Sequence, residues 1–204
     1  DNCTHSDQDT TMVDLDGAVA NAGPDNGICL NDSITLSCNI GNTGETYLWT
    51  SVPPDVGLPA QNTNQTIKVS PTTTTRYSVH VVDACDYTAD DEVNVTVYSL
   101  PVANAGNNGE VCLGSAYTLG ASGGVYYQWG SIPADPTLFL NQQDTTAYPV
   151  VTPDTQILYK YYVEVTNENG CTTTDTMELM VNYVPDIQLS ADVDVICFGE
   201  TTTI

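Results

Sequence analysis

The sequence has very few basic side chains. Three lysines and arginines stand against 26 aspartates and glutamates in 204 residues, so the formal net charge is −23. Binding to DNA, RNA or an anionic membrane surface depends on Lys and Arg that displace counterions. We therefore expect no nucleic-acid partner. No apolar run reaches the roughly 18 residues that a membrane-spanning helix needs, so we also expect no membrane insertion.

The sequence also lacks the motifs of common catalytic sites. It contains no G-x-S-x-G, no H-E-x-x-H and no glycine-rich phosphate loop followed by lysine. Its two histidines, His5 and His80, are isolated, and no C-x-x-C pair is present. Carboxylates are abundant, but nothing marks the apolar pocket that raises the pKa of a general acid. We expect the chain not to be an enzyme.

A long internal repeat is the main positive feature. "VANAGPDNGICLND" begins at Val19 and "VANAGNNGEVCLGS" begins at Val102. The repeating unit is longer than the roughly 20–50 residues of a solenoid repeat and has the size of a self-contained domain. The pattern predicts four segments, which are the tail of a preceding repeat (1–17), two whole repeats (18–100 and 101–184) and the head of a following repeat (185–204).

Within each repeat, apolar and polar residues alternate with a period of two, for example over 34–38, 77–81 and 93–97. This alternation is typical of antiparallel strands with one buried face, and clusters of Gly, Pro, Asn and Asp separate the runs as turns. We predict an all-β fold, with tandem immunoglobulin-like β-sandwich domains in a linear array. Trp49 and Trp129, each in a Tyr-rich strand, are predicted to lie in the two cores.

The chain has seven cysteines, and four of them fall in pairs within the whole repeats. Cys29 and Cys112 come early in their repeats, whereas Cys85 and Cys171 come late. We predict the disulfides Cys29–Cys85 and Cys112–Cys171, and with them an oxidising compartment.

The remaining three cysteines have different predictions. Cys3 and Cys197 belong to the incomplete repeats, so we expect their disulfide partners to lie outside this chain. Cys38 stands at an inward strand position where the other repeat has Ala121. We predict that it is a buried, inert thiol.

Calcium is the one cofactor that the sequence supports. Asp14 and Asp16 precede the first whole repeat and Asp25 follows its opening residues, and Ca²⁺ takes hard oxygen ligands of this kind. Solvated surface charge is the alternative interpretation of these acids.

The series "VANAGPD", "ICLNDSITLSC", Tyr-x-Trp and "VSPTTTTRYSVHVVD" resembles the immunoglobulin-like and PKD-like repeats of large Bacteroidota cell-surface proteins. That group includes gliding-motility adhesins and cargo of type IX secretion. The Trp-Asp-Phe-Gly-Asp-Gly signature of PKD domains is absent, which favours the immunoglobulin-like description. The resemblance implies an extracellular or cell-surface location and O-glycosylation at Asp-Ser/Thr sequences. The candidate sites are Thr10, Ser33, Thr145 and Thr176.

The predicted function is that of a non-catalytic structural repeat segment in an extracellular surface adhesin, filament or stalk. Its expected partners are neighbouring repeats of the same protein and, in a filament, further copies of that protein. Strand exchange between copies is the less favoured arrangement, because the incomplete repeats at 1–17 and 185–204 together lack the middle strands of a repeat. The alternative is an accessory carbohydrate-binding region of a secreted hydrolase, with a surface polysaccharide as ligand. This alternative predicts an exposed aromatic row from Tyr126, Tyr127, Tyr159, Tyr161 and Tyr162.

Overall fold

The computed structural model describes residues 17–38, 45–58, 62–183, 185 and 198. The chain divides into two compact units. Unit 1 comprises Asp1–Pro101 together with Thr166–Thr172, and unit 2 comprises Val102–Val165 together with Thr173–Ile204. Each unit has its own hydrophobic core.

Unit 1 contains a four-stranded sheet and a two-stranded sheet. Its strands are β1 (Asn26–Cys29), β2 (Ile34–Ser37), β3 (Thr46–Val52), β4 (Thr66–Val69), β5 (Thr75–Val82) and β6 (Thr88–Tyr98). The larger sheet has the order β1-β6-β5-β3, and β2 pairs with β4. β5 is antiparallel to both β3 and β6.

Unit 2 repeats this arrangement. Its strands are β7 (Gly109–Cys112), β8 (Tyr117–Thr118), β9 (Tyr126–Ile132), β10 (Val150–Val151), β11 (Leu158–Thr166) and β12 (Thr172–Asn182), and a 3₁₀ helix spans Pro136–Thr145. The larger sheet has the order β7-β12-β11-β9, and β10 pairs with β8. The predicted all-β fold with immunoglobulin-like sandwich domains is confirmed.

Strand alternation places the apolar side chains of each unit inside. In β5, Tyr77, Val79 and Val81 are fully buried, while Ser78 and His80 between them are partly exposed and Arg76 before them is exposed. β11 has the same pattern. Because one face of each large sheet is apolar and the other polar, the apolar face packs as a core and the polar face remains in water.

Both tryptophans lie in the cores, as predicted, with exposures of 1% for Trp49 and 2% for Trp129. Each indole Nε1–H donates to a backbone carbonyl, that of Asn64 in unit 1 and that of Thr146 in unit 2, at 3.0 Å in both cases. The buried polar atom of each ring is thus satisfied.

One strand pair in each large sheet departs from the antiparallel expectation. β1 runs parallel to β6, with Cys29 opposite Tyr98, and β7 runs parallel to β12, with Cys112 opposite Asn182. In a parallel pair, residues at the carboxyl end of one strand face the carboxyl end of the other. Both early cysteines are therefore located where the last strand of their own repeat ends.

Candidate functional site

The cysteines at the strand ends form the most informative chemical feature of the molecule. Cys29 and Cys171 form a disulfide with a Cα–Cα distance of 5.6 Å. Cys171 is buried and is the last residue of the 167–171 turn between β11 and β12. This turn groups with unit 1, where Asn167 Nδ2 donates to the Ser99 carbonyl at 2.8 Å.

The predicted pairing of Cys29 with Cys85 is wrong, and the strand geometry gives the reason. Cys29 lies opposite Tyr98, the last residue of β6, whereas Cys85 lies in the turn before Thr88, where β6 begins. A strand from Thr88 to Tyr98 is about 33 Å long at roughly 3.3 Å per residue. A disulfide requires Cα atoms within about 7 Å. Cys85 is itself disulfide-bonded, but not to Cys29.

The predicted pairing of Cys112 with Cys171 fails for the same reason. Cys112 lies opposite Asn182 at the end of β12, and Cys171 immediately precedes Thr172 at its start. Cys112 is an exposed free thiol. The sequence therefore predicted correctly that Cys29, Cys85 and Cys171 are disulfide-bonded, and it assigned the wrong partners.

The two hairpin turns show that Cys85 and Cys171 do not occupy equivalent positions in their repeats. The Asp83 N–H donates to the Tyr87 carbonyl, and the Asn167 N–H donates to the Cys171 carbonyl, at 3.0 Å in each case. Cys171 thus occupies the turn position of Tyr87, two residues beyond that of Cys85. Alignment on the Asp or Asn that opens each turn, rather than on the cysteines, reveals this offset.

Cys38 is fully buried and is a free thiol, as predicted. Burial raises the pKa of this thiol, and the negative charges of Glu45 and Asp91 raise it further. Because the thiolate is the reactive form of cysteine, these surroundings keep Cys38 unreactive.

A buried tyrosine and an aspartate form a matching pair in each unit, which the sequence reasoning missed. Tyr77 Oη donates to Asp55 Oδ2 in unit 1, and Tyr161 Oη donates to Asp135 Oδ2 in unit 2, both at 2.6 Å. Burial raises the pKa of both phenols, and the hydrogen bond to the carboxylate adds to the rise. Each pair fixes a loop to the core by a charge-assisted hydrogen bond. The sequence repeat could have revealed these pairs, because the matching tripeptides "PPD" and "PAD" end at Asp55 and Asp135.

Among the described residues, His80 and Asp90 come nearest to an acid–base pair, with His80 Nδ1 lying 2.7 Å from Asp90 Oδ1. Both side chains are well exposed on paired strands. A general acid or base acts most effectively in an enclosed pocket that tunes its pKa, so we interpret this contact as a surface hydrogen bond.

The calcium prediction concerns Asp14, Asp16 and Asp25, of which the first two lie outside the described residues. Asp25 is exposed and accepts the backbone N–H of Asn94 at 2.8 Å, a hydrogen bond that lowers the pKa of this carboxyl. Within the described ranges, no group of three His, Cys, Asp or Glu side chains is arranged to hold a metal ion. The calcium site stays a prediction.

Three of the four predicted glycosylation residues lie in the described ranges, and Thr10 lies outside them. Ser33, Thr145 and Thr176 are all exposed, so each hydroxyl is accessible to a glycosyltransferase. Thr145 Oγ1 donates to the Gln142 carbonyl at 3.0 Å. Their modification stays a prediction.

The aromatic row expected of a carbohydrate-binding region is not formed. Tyr159 and Tyr161 are buried in the core of unit 2, Tyr127 is half-buried, and Tyr126 and Tyr162 are exposed. Neighbouring residues of a strand point to opposite faces, so five tyrosines from both parities cannot share one surface. The prediction of this row was wrong.

Comparison with known proteins places the second repeat among immunoglobulin-like domains. Residues 99–185 match the family described as "Ig-like domain CHU_C associated". This stretch is an Ig-like domain. No curated protein sequence matches the chain.

Solved structures of tandem domains are similar to the chain at low identity. DIP-gamma IG1+IG2 is 12% identical, with 78% of this chain and 93% of that chain covered and a TM-score of 0.39. The fibronectin(III)-like modules of Clostridium thermocellum CbhA are 8% identical, with 84% and 98% covered and a TM-score of 0.40. The insect immune protein hemolin is 13% identical, with 86% and 49% covered and a TM-score of 0.41. Likeness at this level says nothing about function.

The described part of the chain contains no helix with both the length and the apolar character needed to cross a membrane.

Proposed function

We propose that the chain is a non-catalytic structural repeat segment of an extracellular surface adhesin, filament or stalk. The Cys29–Cys171 disulfide is the observation that carries the proposal. Structural disulfides persist in oxidising surroundings outside the cytosol. This one joins a strand end of the first sequence repeat to a turn of the second, so it gives a tandem protein a covalent connection besides its backbone.

The packing of the two units also supports a structural role. Inward positions of the large sheets are filled by Val, Leu, Tyr and Trp side chains, and the Tyr–Asp pairs hold loops to both cores. A net charge of −23 makes copies repel one another and keeps a long repeat protein soluble. These features suit a spacer segment that holds other domains of the same protein away from the cell surface.

We extend the proposal to the class of large Bacteroidota surface proteins that includes gliding-motility adhesins and type IX secretion cargo. The "VANAG" and "CL" repeat pattern supports this assignment, as does the match of residues 99–185 to an Ig-like family. The partners are then neighbouring repeats of the same polypeptide. O-glycans on the exposed Ser33, Thr145 and Thr176 and calcium at Asp14, Asp16 and Asp25 belong to the same proposal.

An antibody against residues 18–183 tests the location. Intact producing cells should be labelled as strongly as permeabilised cells. A cytoplasmic protein labelled in parallel should stain only after permeabilisation. Labelling of the segment that requires permeabilisation would contradict an extracellular function.

Exchange of the segment tests the structural role. In-frame deletion of residues 18–183 should weaken attachment of the cells to a surface, and replacement by an unrelated tandem Ig-like pair of similar length should restore it. Attachment that the replacement fails to restore would mean that this segment itself binds the ligand. An activity lost with the deletion and unrelated to attachment would contradict the proposal altogether.

A further inference from the structure

Cys112 occupies in unit 2 the same place that the disulfide-bonded Cys29 occupies in unit 1. Each is the last residue of the first strand, paired in parallel with the end of the last strand, at Tyr98 or Asn182. The residue after each cysteine donates its backbone N–H to the carbonyl of that strand end. Leu30 donates to Tyr98 at 2.8 Å, and Leu113 donates to Asn182 at 2.9 Å.

The turn that follows each cysteine is also the same. The Cys29 carbonyl accepts the N–H of Asp32 at 2.9 Å, and the Cys112 carbonyl accepts the N–H of Ser115 at 2.9 Å. The second residue after the cysteine has positive φ in both turns, 76° at Asn31 and 72° at Gly114. The backbone therefore directs the Cα–Cβ bonds of both cysteines in the same way.

The two positions differ only in what meets the cysteine. In unit 1, Cys29 is bonded to Cys171, whose hairpin turn comes from the next sequence repeat and groups with unit 1. In unit 2, Cys112 is exposed and is a free thiol. The other cysteines of the described residues are not available to it, because Cys38 is buried in the core of unit 1 and Cys85 and Cys171 already have disulfide partners.

We propose that Cys112 is a disulfide site for a cysteine in the β-hairpin turn of a further copy of this repeat. The partner cysteine is the counterpart of Cys171, and the bond is the counterpart of Cys29–Cys171. Each repeat then receives on its first-strand cysteine the hairpin turn of the repeat that follows it. The inference rests on the tandem-repeat part of the proposed function and not on adhesion.

The bond forms by thiol–disulfide exchange. The Cys112 thiol and the thiol of the partner turn lose two electrons and two protons in total and form one S–S bond. A disulfide oxidant, such as oxidised glutathione or a disulfide oxidoreductase, accepts both electrons and both protons and leaves as two thiols. Because Cys112 is exposed, its sulfur is accessible to such an oxidant before the partner turn arrives.

Disulfide mapping of the native polypeptide from its producing cells tests the proposal. Free thiols are blocked with N-ethylmaleimide. The unreduced protein is then digested with two proteases, one that cleaves on the amino side of Asp and one that cleaves on the carboxyl side of Glu. The sequence then releases Cys29 in 25–31, Cys85 in 83–85, Cys112 in 111–134, Cys171 in 169–174 and Cys197 in 194–200. We expect 111–134 to be linked to a fragment from the hairpin turn of another repeat. The Cys29–Cys171 link between 25–31 and 169–174 is the internal reference.

Each other result overturns the inference. These results are Cys112 alkylated by the maleimide, bound to a small thiol, or linked to Cys3, Cys38, Cys85 or Cys197. If Cys112 is alkylated while 25–31 remains linked to 169–174, the site proposal fails and the proposed function stands. If Cys29 is alkylated as well, the compartment is reducing, and the proposed function fails with it.

One substitution, Cys112→Ser, tested in two polypeptides separates a linking role of Cys112 from a folding role. Cys112→Ser should leave the unfolding midpoint of the 204-residue chain unchanged, because no partner turn is bonded to Cys112 there. In the native polypeptide, the same substitution should leave a new alkylated cysteine in the partner turn. Absence of that newly alkylated cysteine would contradict the proposal.

Discussion

Replacement of Tyr161 by Phe removes one hydroxyl group from the core of unit 2, and the structure predicts a large loss of stability. Asp135 is 1% exposed. Its Oδ1 accepts hydrogen bonds from the backbone N–H and Oγ1 of Thr137, while its Oδ2 accepts one from Tyr161 Oη at 2.6 Å. Without that hydroxyl, Oδ2 is a buried charged acceptor that has lost its donor. The free energy of unfolding of unit 2 should fall by about 2–3 kcal/mol.

Tyr77→Phe in unit 1 is the matched control. The Tyr77 Oη to Asp55 Oδ2 distance is also 2.6 Å, but Asp55 is only half-buried, so water can replace the lost donor. Its loss should be smaller, about 1 kcal/mol. The comparison holds the chemistry and the distance constant and varies the burial of the carboxylate.

The assay uses the single tryptophan of each unit. In a Trp49→Phe background, Trp129 fluorescence reports urea unfolding of unit 2, and in a Trp129→Phe background, Trp49 reports unit 1. With a urea m-value of about 1 kcal/mol/M, Tyr161→Phe should lower the midpoint by roughly 2–3 M and Tyr77→Phe by roughly 1 M. Equal shifts, or a larger shift for Tyr77→Phe, would refute the reasoning from burial.

Three further predictions concern pH, a glycine and the disulfide. In the folded state the pKa of Tyr77 and of Tyr161 is raised above the value of about 10 that a tyrosine has in the unfolded state. The stability that this shift contributes is therefore complete below pH ~10 and is lost above it, by up to ~1.4 kcal/mol per pH unit for each tyrosine. Urea midpoints measured above pH ~10 should fall less steeply in Tyr161→Phe than in the parent. Gly123 has φ +106°, and an added Cβ would collide with the Val102 carbonyl, so Gly123→Ala should destabilise unit 2 by about 2 kcal/mol or more. Gly114 has φ +72° and open space around it, so Gly114→Ala should cost about 1 kcal/mol. A larger loss of stability for Gly114→Ala than for Gly123→Ala, measured by urea unfolding with Trp129 fluorescence, would be inconsistent with this geometry. The Cys29–Cys171 disulfide spans 142 residues and contributes about 5 kcal/mol on the chain-entropy model. The Cys29→Ser, Cys171→Ser double variant should therefore have a melting temperature well below that of the parent, whereas Cys112→Ser should have the same melting temperature as the parent. Equal melting temperatures for both variants by calorimetry would argue against a stabilising role for the bond.

Local pattern predicted the parts of the structure that depend on neighbouring residues. Alternation over 77–81 and 93–97 indicated strands and their buried faces, and it placed Trp49 and Trp129 inside. The same rule explains why the predicted tyrosine row does not form, since Tyr161 and Tyr162 are adjacent in β11 and so face opposite sides of the sheet.

The disulfide pairing depended on register, which alternation does not reveal. The recurrence of one early and one late cysteine in each whole repeat predicts pairing within the repeat. Parallel pairing of β1 with β6 instead places Cys29 a full strand length from Cys85, and the correct partner lies 142 residues along the chain. Contacts between distant segments of this kind follow from tertiary packing, as does the buried hydrogen bond of Tyr161 to Asp135.

Disulfide mapping of the 204-residue chain after oxidative folding tests the central claim, that successive repeats are covalently joined through a strand-end cysteine and a hairpin turn. Digestion at Asp and Glu without reduction should yield one species that contains fragment 25–31 linked to fragment 169–174, and reduction should separate them. Fragment 25–31 linked to 83–85 instead would mean that each repeat closes its own disulfide, which would contradict the account.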